Sequence, residues 1–232
     1  MPARTARETS KPDAGPALKL QAINIEVTWD PMPDPEVEAL SEDVREEMDR
    51  LYKLVQTGSP KAVAPLRKLV AANPGVLALQ NWLLTVLSHG TKSQQQEARK
   101  VTMELFQLRP EYYFARTGLA ELYLKDGRVE EAAALILGPA NTLQELYPGQ
   151  KVFHISEFRH WALLSAKIFL QKGEQEAATS YRNLLDQMEP NSPAVQHLDR
   201  LLLIALFEGS SSALQKVWRQ PGGGRRIKPG GI

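Results

Sequence analysis

The stretch that decides the fold class is residues 118–132, GLAELYLKDGRVEEA. Apolar side chains three and four positions apart fill its first half, and this spacing puts them on one face of a helix. Asp126 and Gly127 then supply a turn, because glycine readily adopts the backbone conformation that ends a helix. From Val129 to Ala132 a second apolar face begins. The stretch therefore predicts two helices joined by a tight turn.

This helix–turn–helix unit recurs along the chain. The turn glycines of the four copies are Gly58, Gly90, Gly127 and Gly173. The prolines that close the copies are Pro74, Pro110, Pro148 and Pro190, with intervals of 36, 38 and 42 residues. A two-helix unit with a period near this length is typical of a solenoid, in which each helix pair covers the apolar side of its neighbour.

Several residues predict where individual helices begin and end. Asp34 before Pro35 is expected to cap a helix whose apolar face runs from residue 37 to residue 55. Thr91 and Gln94 have the spacing of a capping box. A last helix, after Ser192 and Pro193, is apolar nearly all round, which predicts burial on two sides, either in a dimer or under the N-terminal arm.

The third and fourth copies share a pattern of small and aromatic residues. In the third copy, Ala120 and Tyr123 of the first helix are spaced to meet Ala132 of the second. The fourth copy repeats the pattern with Ala166, Phe169, Gly173, Ala178 and Pro190. This pattern resembles the tetratricopeptide repeat. The resemblance covers about residues 41–190 and is weaker in the first two copies, where Leu83 stands in place of a small residue. It implies an all-α fold, a right-handed α-solenoid of stacked antiparallel helix pairs.

The resemblance also implies a function. In such arrays the first helices of successive repeats line a concave groove that receives a peptide or a helix of another protein. The corresponding partner-binding positions here are Tyr52, Gln80, Asn81, Thr117, Glu121, Leu124, His160, Lys167 and Gln171. The expected role is a non-catalytic scaffold or adaptor. The subgroup that clamps chaperone tails is disfavoured, because most of its cations are missing at the matching positions.

The two ends of the chain differ from this repeat domain, which we expect to span residues 35–218. Residues 1–20 mix proline, glycine and charges without periodicity and are expected to be disordered. Residues 21–34 contain a period-2 apolar pattern, which indicates an extended arm. This arm is interpreted either as lying against the helices or as a strand donated to another chain.

The C-terminal end, residues 219–232, is expected to be a flexible, basic, glycine-rich tail. Its four cations are Arg219, Arg225, Arg226 and Lys228. They support an alternative function, an accessory protein that contacts RNA or anionic surfaces weakly through this tail. The apolar last helix leaves a homo-oligomer open as a further partner.

The composition of the chain excludes several kinds of chemistry. The chain has no cysteine, which excludes disulfides, thiolate catalysis and cysteine-bound zinc. Its net charge of +1 provides no overall electrostatic field that would attract nucleic acid.

His154, Glu157 and His160 are considered as metal ligands, because they are three residues apart. On a helix, side chains at this spacing point in different directions, so the three match the spacing of zinc ligands poorly. No cofactor motif is recognised, so no cofactor, no metal and no enzymatic activity are expected. Without a signal peptide or an apolar membrane span, a cytoplasmic location is the expectation.

Overall fold

The computed structural model describes residues 25–139 and 141–208, which contain eleven α-helices and two short strands. In chain order these are β1 (Glu26–Thr28), α1 (Pro35–Glu38), α2 (Glu42–Gln56), α3 (Val63–Ala72, after a 3₁₀ turn at Pro60–Ala62), α4 (Leu77–Ser88), α5 (Lys92–Leu108), α6 (Tyr113–Lys125), α7 (Val129–Ile136), α8 (Leu143–Leu146), β2 (Val152–His154), α9 (Ile155–Lys172), α10 (Gln175–Met188) and α11 (Pro193–Glu208). The prediction of a mostly helical chain is confirmed. The regions assigned to residues 1–20 and 219–232 lie outside the described residues.

The local signals for helix ends correspond to real caps and turns. The Asp34 carboxylate accepts a hydrogen bond from the backbone N–H of Glu36 at 2.9 Å and so caps α1. Thr91 and Gln94 form the reciprocal capping box of α5. Gly127 and Gly173 have φ angles of 76° and 81° and lie between paired helices, a conformation that strains any residue with a Cβ.

The first helix differs from its prediction. The single apolar face expected from residue 37 to residue 55 is divided between α1 and α2. A carboxylate oxygen of Glu36 accepts a hydrogen bond at 3.0 Å from the backbone N–H of Leu77, the first residue of α4. Glu36 thereby satisfies a donor at the N-terminus of a distant helix. The backbone is extended at Ser41, which separates α1 from α2.

Neighbouring helices pack in a regular order. The two helices of a pair are in contact in α4–α5, α6–α7 and α9–α10. The second helix of each pair also contacts the first helix of the next, in α3–α4, α5–α6, α7–α9 and α10–α11. First helices contact one another in α2–α4, α6–α9 and α9–α11.

The largest hydrophobic core lies among α6, α7, α9, α10 and α11. Trp161 is fully buried, and its ring centroid lies 5.3 Å from that of Tyr181, which also stacks on Phe169 at 5.7 Å. The small residues of the repeat pattern, Ala120, Ala132, Ala166 and Ala178, are all buried here. Aromatic rings therefore fill the space around helices that small residues allow to approach closely.

The N-terminal arm forms a strand, but its partner is one that the sequence pattern did not indicate. β1 pairs in parallel with β2, with Val27 opposite Phe153. The N–H of Glu26 donates to the carbonyl of Lys151 at 2.9 Å. Phe153 is fully buried, and β1 also contacts α9. The arm thus lies against the helical body through a strand of its own chain, and three residues of β2 are too few to show a period.

The last helix is covered on one face only, as far as the described residues extend. Leu198 and Leu201 are buried, whereas Leu203, Leu206 and Phe207 are exposed, Phe207 by 81%. The expected burial on two sides is therefore absent among residues 25–139 and 141–208. In the same ranges no helix combines the length and the apolar character needed to cross a membrane.

Candidate partner-binding pocket

A pocket with a cavity volume of about 170 Å³, open to solvent, lies where α6, α9 and α11 meet. This volume is smaller than that of pockets that enclose drug-sized ligands, which is about 300–1,000 Å³. The residues that line this groove pocket are Glu121, Leu124, Lys125, Leu164, Lys167, His197 and Leu201. Because the lining residues of each helix are three or four positions apart, apart from the adjacent Leu124 and Lys125, each helix presents one face to the pocket.

The pocket contains three of the nine partner-binding residues selected from the sequence. Glu121 and Leu124 enter it from α6, and Lys167 enters it from α9. His160 adjoins it, because its Nε2 lies 3.6 Å from Oε1 of Glu121. Helical phase alone placed these residues on a common side, and the structure brings them together.

The apolar part of the pocket consists of three leucines from three helices. Leu124, Leu164 and Leu201 are each almost completely buried. Their side chains belong to the main core, so this surface is held rigidly by packing on all other sides. An apolar group that entered the pocket would extend this core.

The charged side chains that line the pocket are the carboxylate of Glu121 and the two lysines Lys125 and Lys167. Burial raises the pKa of the Glu121 carboxyl, but its hydrogen bond to His160 and the charges of Lys167 and Lys125 outweigh burial and hold the pKa below the ordinary value. Glu121 is therefore ionised at neutral pH. Burial lowers the pKa of Lys167, with the nearby Glu121 acting against this shift.

Charged residues near the pocket also act on His197, on α11. Burial lowers its pKa, and the positive charges of Lys167 and Arg200 lower it further. Its imidazole therefore favours the neutral form at neutral pH. The arrangement as a whole can hold an apolar group and a charged group by non-covalent contacts.

Two further predicted residues lie on the same helices but in the interior. Thr117 is 1% exposed, and its hydroxyl donates to the carbonyl of Tyr113 at 3.0 Å within α6. Gln171 is 9% exposed, one turn beyond Lys167 on α9. Neither atom of the Gln171 side-chain amide has a hydrogen-bond partner among the described residues, although buried amides are usually paired.

The three remaining residues belong to α2 and α4 and do not line the pocket. Tyr52 is exposed, with its ring centroid 5.9 Å from that of Trp82. Gln80 donates from its amide to the carbonyl of Pro74 at 2.6 Å. Asn81 is half-buried on α4. The structure therefore separates the predicted set into a group at the pocket and a group on the first helices.

His154, Glu157 and His160, which were considered as metal ligands, have other partners in the structure. His154 caps α9, with its Nδ1 accepting from the N–H of Ser156 at 3.2 Å. A carboxylate oxygen of Glu157 accepts from the N–H of His154 at 3.0 Å, and His160 pairs with Glu121. Over the part of the chain that the structure describes, no three histidines or acids are grouped as a metal site.

Four lining residues were not selected from the sequence, namely Lys125, Leu164, His197 and Leu201. Lys125 and Leu164 lie one turn beyond Glu121 and His160, so a wider helical face would have included them. His197 and Leu201 were missed because α11 was treated as the closing helix of the array and not as part of a groove.

A second pocket, with a cavity volume of about 260 Å³, lies at the N-termini of α6 and α9. Its lining residues are Arg109, Glu111, Tyr112, Tyr113, Phe114, Tyr147, Gln150 and Glu157. Burial raises the pKa of Tyr147 to about 12, although the nearby Arg116 acts against the shift. Arg116 lies 5.5 Å from the centroid of the Tyr147 ring and so shields part of this aromatic surface.

Comparisons of the chain with protein-family models, with curated proteins and with solved structures found no match.

Proposed function

We propose that this protein is a non-catalytic scaffold that binds a peptide or a helix of another protein in the groove pocket. In this proposal its helix pairs stack as a right-handed solenoid similar to tetratricopeptide arrays. The pattern of helix contacts supports the stacking. Each of α3, α5, α7 and α10 packs on the first helix that follows it, and α5, α7 and α10 also pack on the first helix of their own pair.

The observation that carries the proposal is the pocket between α6, α9 and α11. Helices α6 and α9 are the first helices of two successive units, α11 is the helix that follows them, and the resemblance assigns the groove to first helices. Glu121, Leu124 and Lys167, selected by helical phase alone, lie together in that pocket. Binding energy in such interfaces is concentrated in a few anchors that fill well-packed pockets.

Site-specific photocrosslinking tests the proposal. Arg200 is exposed and lies next to the pocket, since its charge acts on His197. The variant Arg200→benzoylphenylalanine, expressed in the cells that make the protein, is expected to crosslink to one partner after irradiation. Mass spectrometry is expected to place the crosslink within a single segment of that partner.

Lys100 provides a matched control, because it is an exposed cation on α5 that does not line the pocket. Lys100→benzoylphenylalanine is expected to give no adduct with the same partner. Equal adducts at both positions, or none at position 200, would show that the groove pocket is not the binding surface.

A further inference from the structure

The contact between α6 and α9 uses positions on α6 at fixed distances from the turn glycine Gly127. Glu121 and Leu124 lie six and three residues before this glycine. Glu121 lies 3.6 Å from His160 of α9, and Leu124 is 1% exposed. At these positions, therefore, α6 is covered by the next long helix along the chain.

The same positions on α9 are covered by α11. Lys167 and Leu170 lie six and three residues before Gly173. Lys167 lines the groove pocket together with His197 of α11, and Leu170 is 2% exposed. Gln171, two residues before the glycine, is buried as well. These positions define a stacking face, through which one long helix packs on the next.

On α11 the corresponding stacking face is open. Leu203, Leu206 and Phe207 lie six, three and two residues before Gly209, and they are 53%, 68% and 81% exposed. The stacking faces of α6 and α9 include charged side chains, whereas these three positions of α11 are all apolar. No described residue covers them, and exposed apolar side chains grouped in this way mark an interaction surface.

Two other parts of the chain are poorly matched to this face. The N-terminal arm is already paired with β2. Residues 209–232 lie outside the described residues, and their sequence has Leu214 five positions after the turn glycine, the place that Ala132 and Ala178 have in second helices. Residues 221–232 contain two prolines and five glycines and show no apolar period. Neither part has the pattern of a long helix that would stack on α11.

The face of α11 is matched best by the same face of a second molecule. The exposed side chains of α2, the first long helix, are mainly charged and include Glu42, Asp43, Glu46 and Asp49. Contact between α2 and the leucines of α11 would remove these carboxylates from water at a high cost. Two copies of α11 bring only apolar side chains together, because the nearest acid on this face, Asp199, is paired with Arg182 at 2.7 Å.

We propose that two copies of this chain associate as a two-fold symmetric dimer through the stacking face of α11, formed by Leu203, Leu206 and Phe207. Each copy supplies the helix that covers the other. Because a two-fold contact uses the same surface on both molecules, it is closed at two copies. This inference goes beyond the proposed function and does not depend on it.

Sedimentation equilibrium of the full-length protein tests the dimer. At about 100 µM the protein is expected to have twice its chain mass of 25.9 kDa. Leu206→Asp places a carboxylate in the apolar contact and is expected to weaken dimerisation about tenfold or more. Its helix content, measured by circular dichroism, should be unchanged, because residue 206 is exposed in the single chain.

Leu108→Asp is the matched control, since Leu108 is an exposed leucine of α5, 76% exposed and outside the stacking face. It is expected to leave dimerisation unchanged. The chain has no cysteine, so Leu206→Cys introduces a unique thiol at the contact. A short bismaleimide is expected to join two Leu206→Cys chains, whereas Ala71→Cys, at an exposed site on α3, should give no covalent dimer.

Three results would overturn the proposal. A single-chain mass at about 100 µM would show that something other than a second copy covers the face. A dimer that Leu206→Asp and Leu108→Asp weaken equally, or not at all, would lie on another surface. Assemblies that keep growing with protein concentration would show an open contact in place of a two-fold one.

Discussion

The part of the molecule formed by α6 to α11 and the part formed by α2 to α5 are built from the same kind of helix pair but are packed differently. The later part has one continuous core with buried aromatic residues, whereas the earlier part has smaller separate clusters. The later part also carries the small–aromatic–small pattern, while the earlier part has Leu83 at a position for a small residue. Close approach of helices, permitted by small residues, is therefore what allows a large shared core to form.

Removing the central aromatic residue of the later part is expected to have the largest effect. Trp161→Ala leaves a cavity beside Phe158 and Tyr181 and should reduce the free energy of unfolding by about 3–5 kcal/mol. Tyr52→Ala in the earlier part removes a ring that is 53% exposed and should cost about 1 kcal/mol or less. Denaturant unfolding measures the free energy of unfolding of both variants. If the two variants lost equal amounts of this free energy, the core would not be concentrated in the later part.

The close helix approach of the later part can be tested with a larger side chain. Ala178 is fully buried on α10, so Ala178→Leu should overpack the contact with α9 and destabilise the protein by about 1–3 kcal/mol. Ala71→Leu adds the same atoms to an exposed site on α3 and serves as the control. If thermal unfolding showed both variants to be neutral, the small residue would not be needed for packing.

The N-terminal arm, which packs on the later part through β2 and α9, is expected to make a smaller contribution. Val27→Asp places a carboxylate in the half-buried strand β1 opposite Phe153 and should cost about 1–3 kcal/mol. Hydrogen exchange of residues 25–28 and 151–154 should become faster, because the variant weakens the β1–β2 pairing. Trp29→Asp changes an exposed neighbour and is expected to leave this exchange nearly unchanged.

The smallest expected effect concerns pH and His197. Since its pKa is lower in the folded than in the unfolded protein, the unfolded chain takes up the proton first as pH falls. Stability is therefore lost as pH falls below about 6.5, the usual histidine pKa. The groups around His197 are Lys167 on α9, Arg200 on α11, and Lys125 and Glu121 across the pocket.

His197→Gln removes this titration, so its free energy of unfolding should fall less than that of the unchanged protein between about pH 7.5 and about pH 5.5. Urea unfolding at several pH values provides the measurement. His89→Gln, at an exposed histidine outside the pocket, is the control variant. An identical pH dependence in His197→Gln would show that His197 is not responsible.

Local sequence signals predicted most of the helices but less of the pocket. Thr91 with Gln94, Asp34, Gly127 and Gly173 act within a few residues of themselves, so their caps and turns could be recognised without a tertiary structure. Helical phase selected Glu121, Leu124 and Lys167, but it could not distinguish a residue at the pocket from a buried one such as Thr117. That distinction depends on which neighbouring helix covers each face.

The features that were missed all arise from contacts between distant parts of the chain. Glu36, on α1, caps the distant helix α4, and β2 exists because β1 supplies its hydrogen-bond partners. His197 joins the pocket because α11 packs on α9. None of these contacts changes the local pattern of apolar residues, so no window along the sequence contains a signal for them.

The sequence by itself determined the helical class, the turns between paired helices and the pairing of small with aromatic residues, because these depend on backbone preferences and on side chains one turn apart. The tertiary structure alone decided the partner of the N-terminal arm, the separation of α1 from α2 and the set of residues around the groove pocket. Those features depend on the positions of groups far apart in the chain, which only the packing of the helices brings within contact distance.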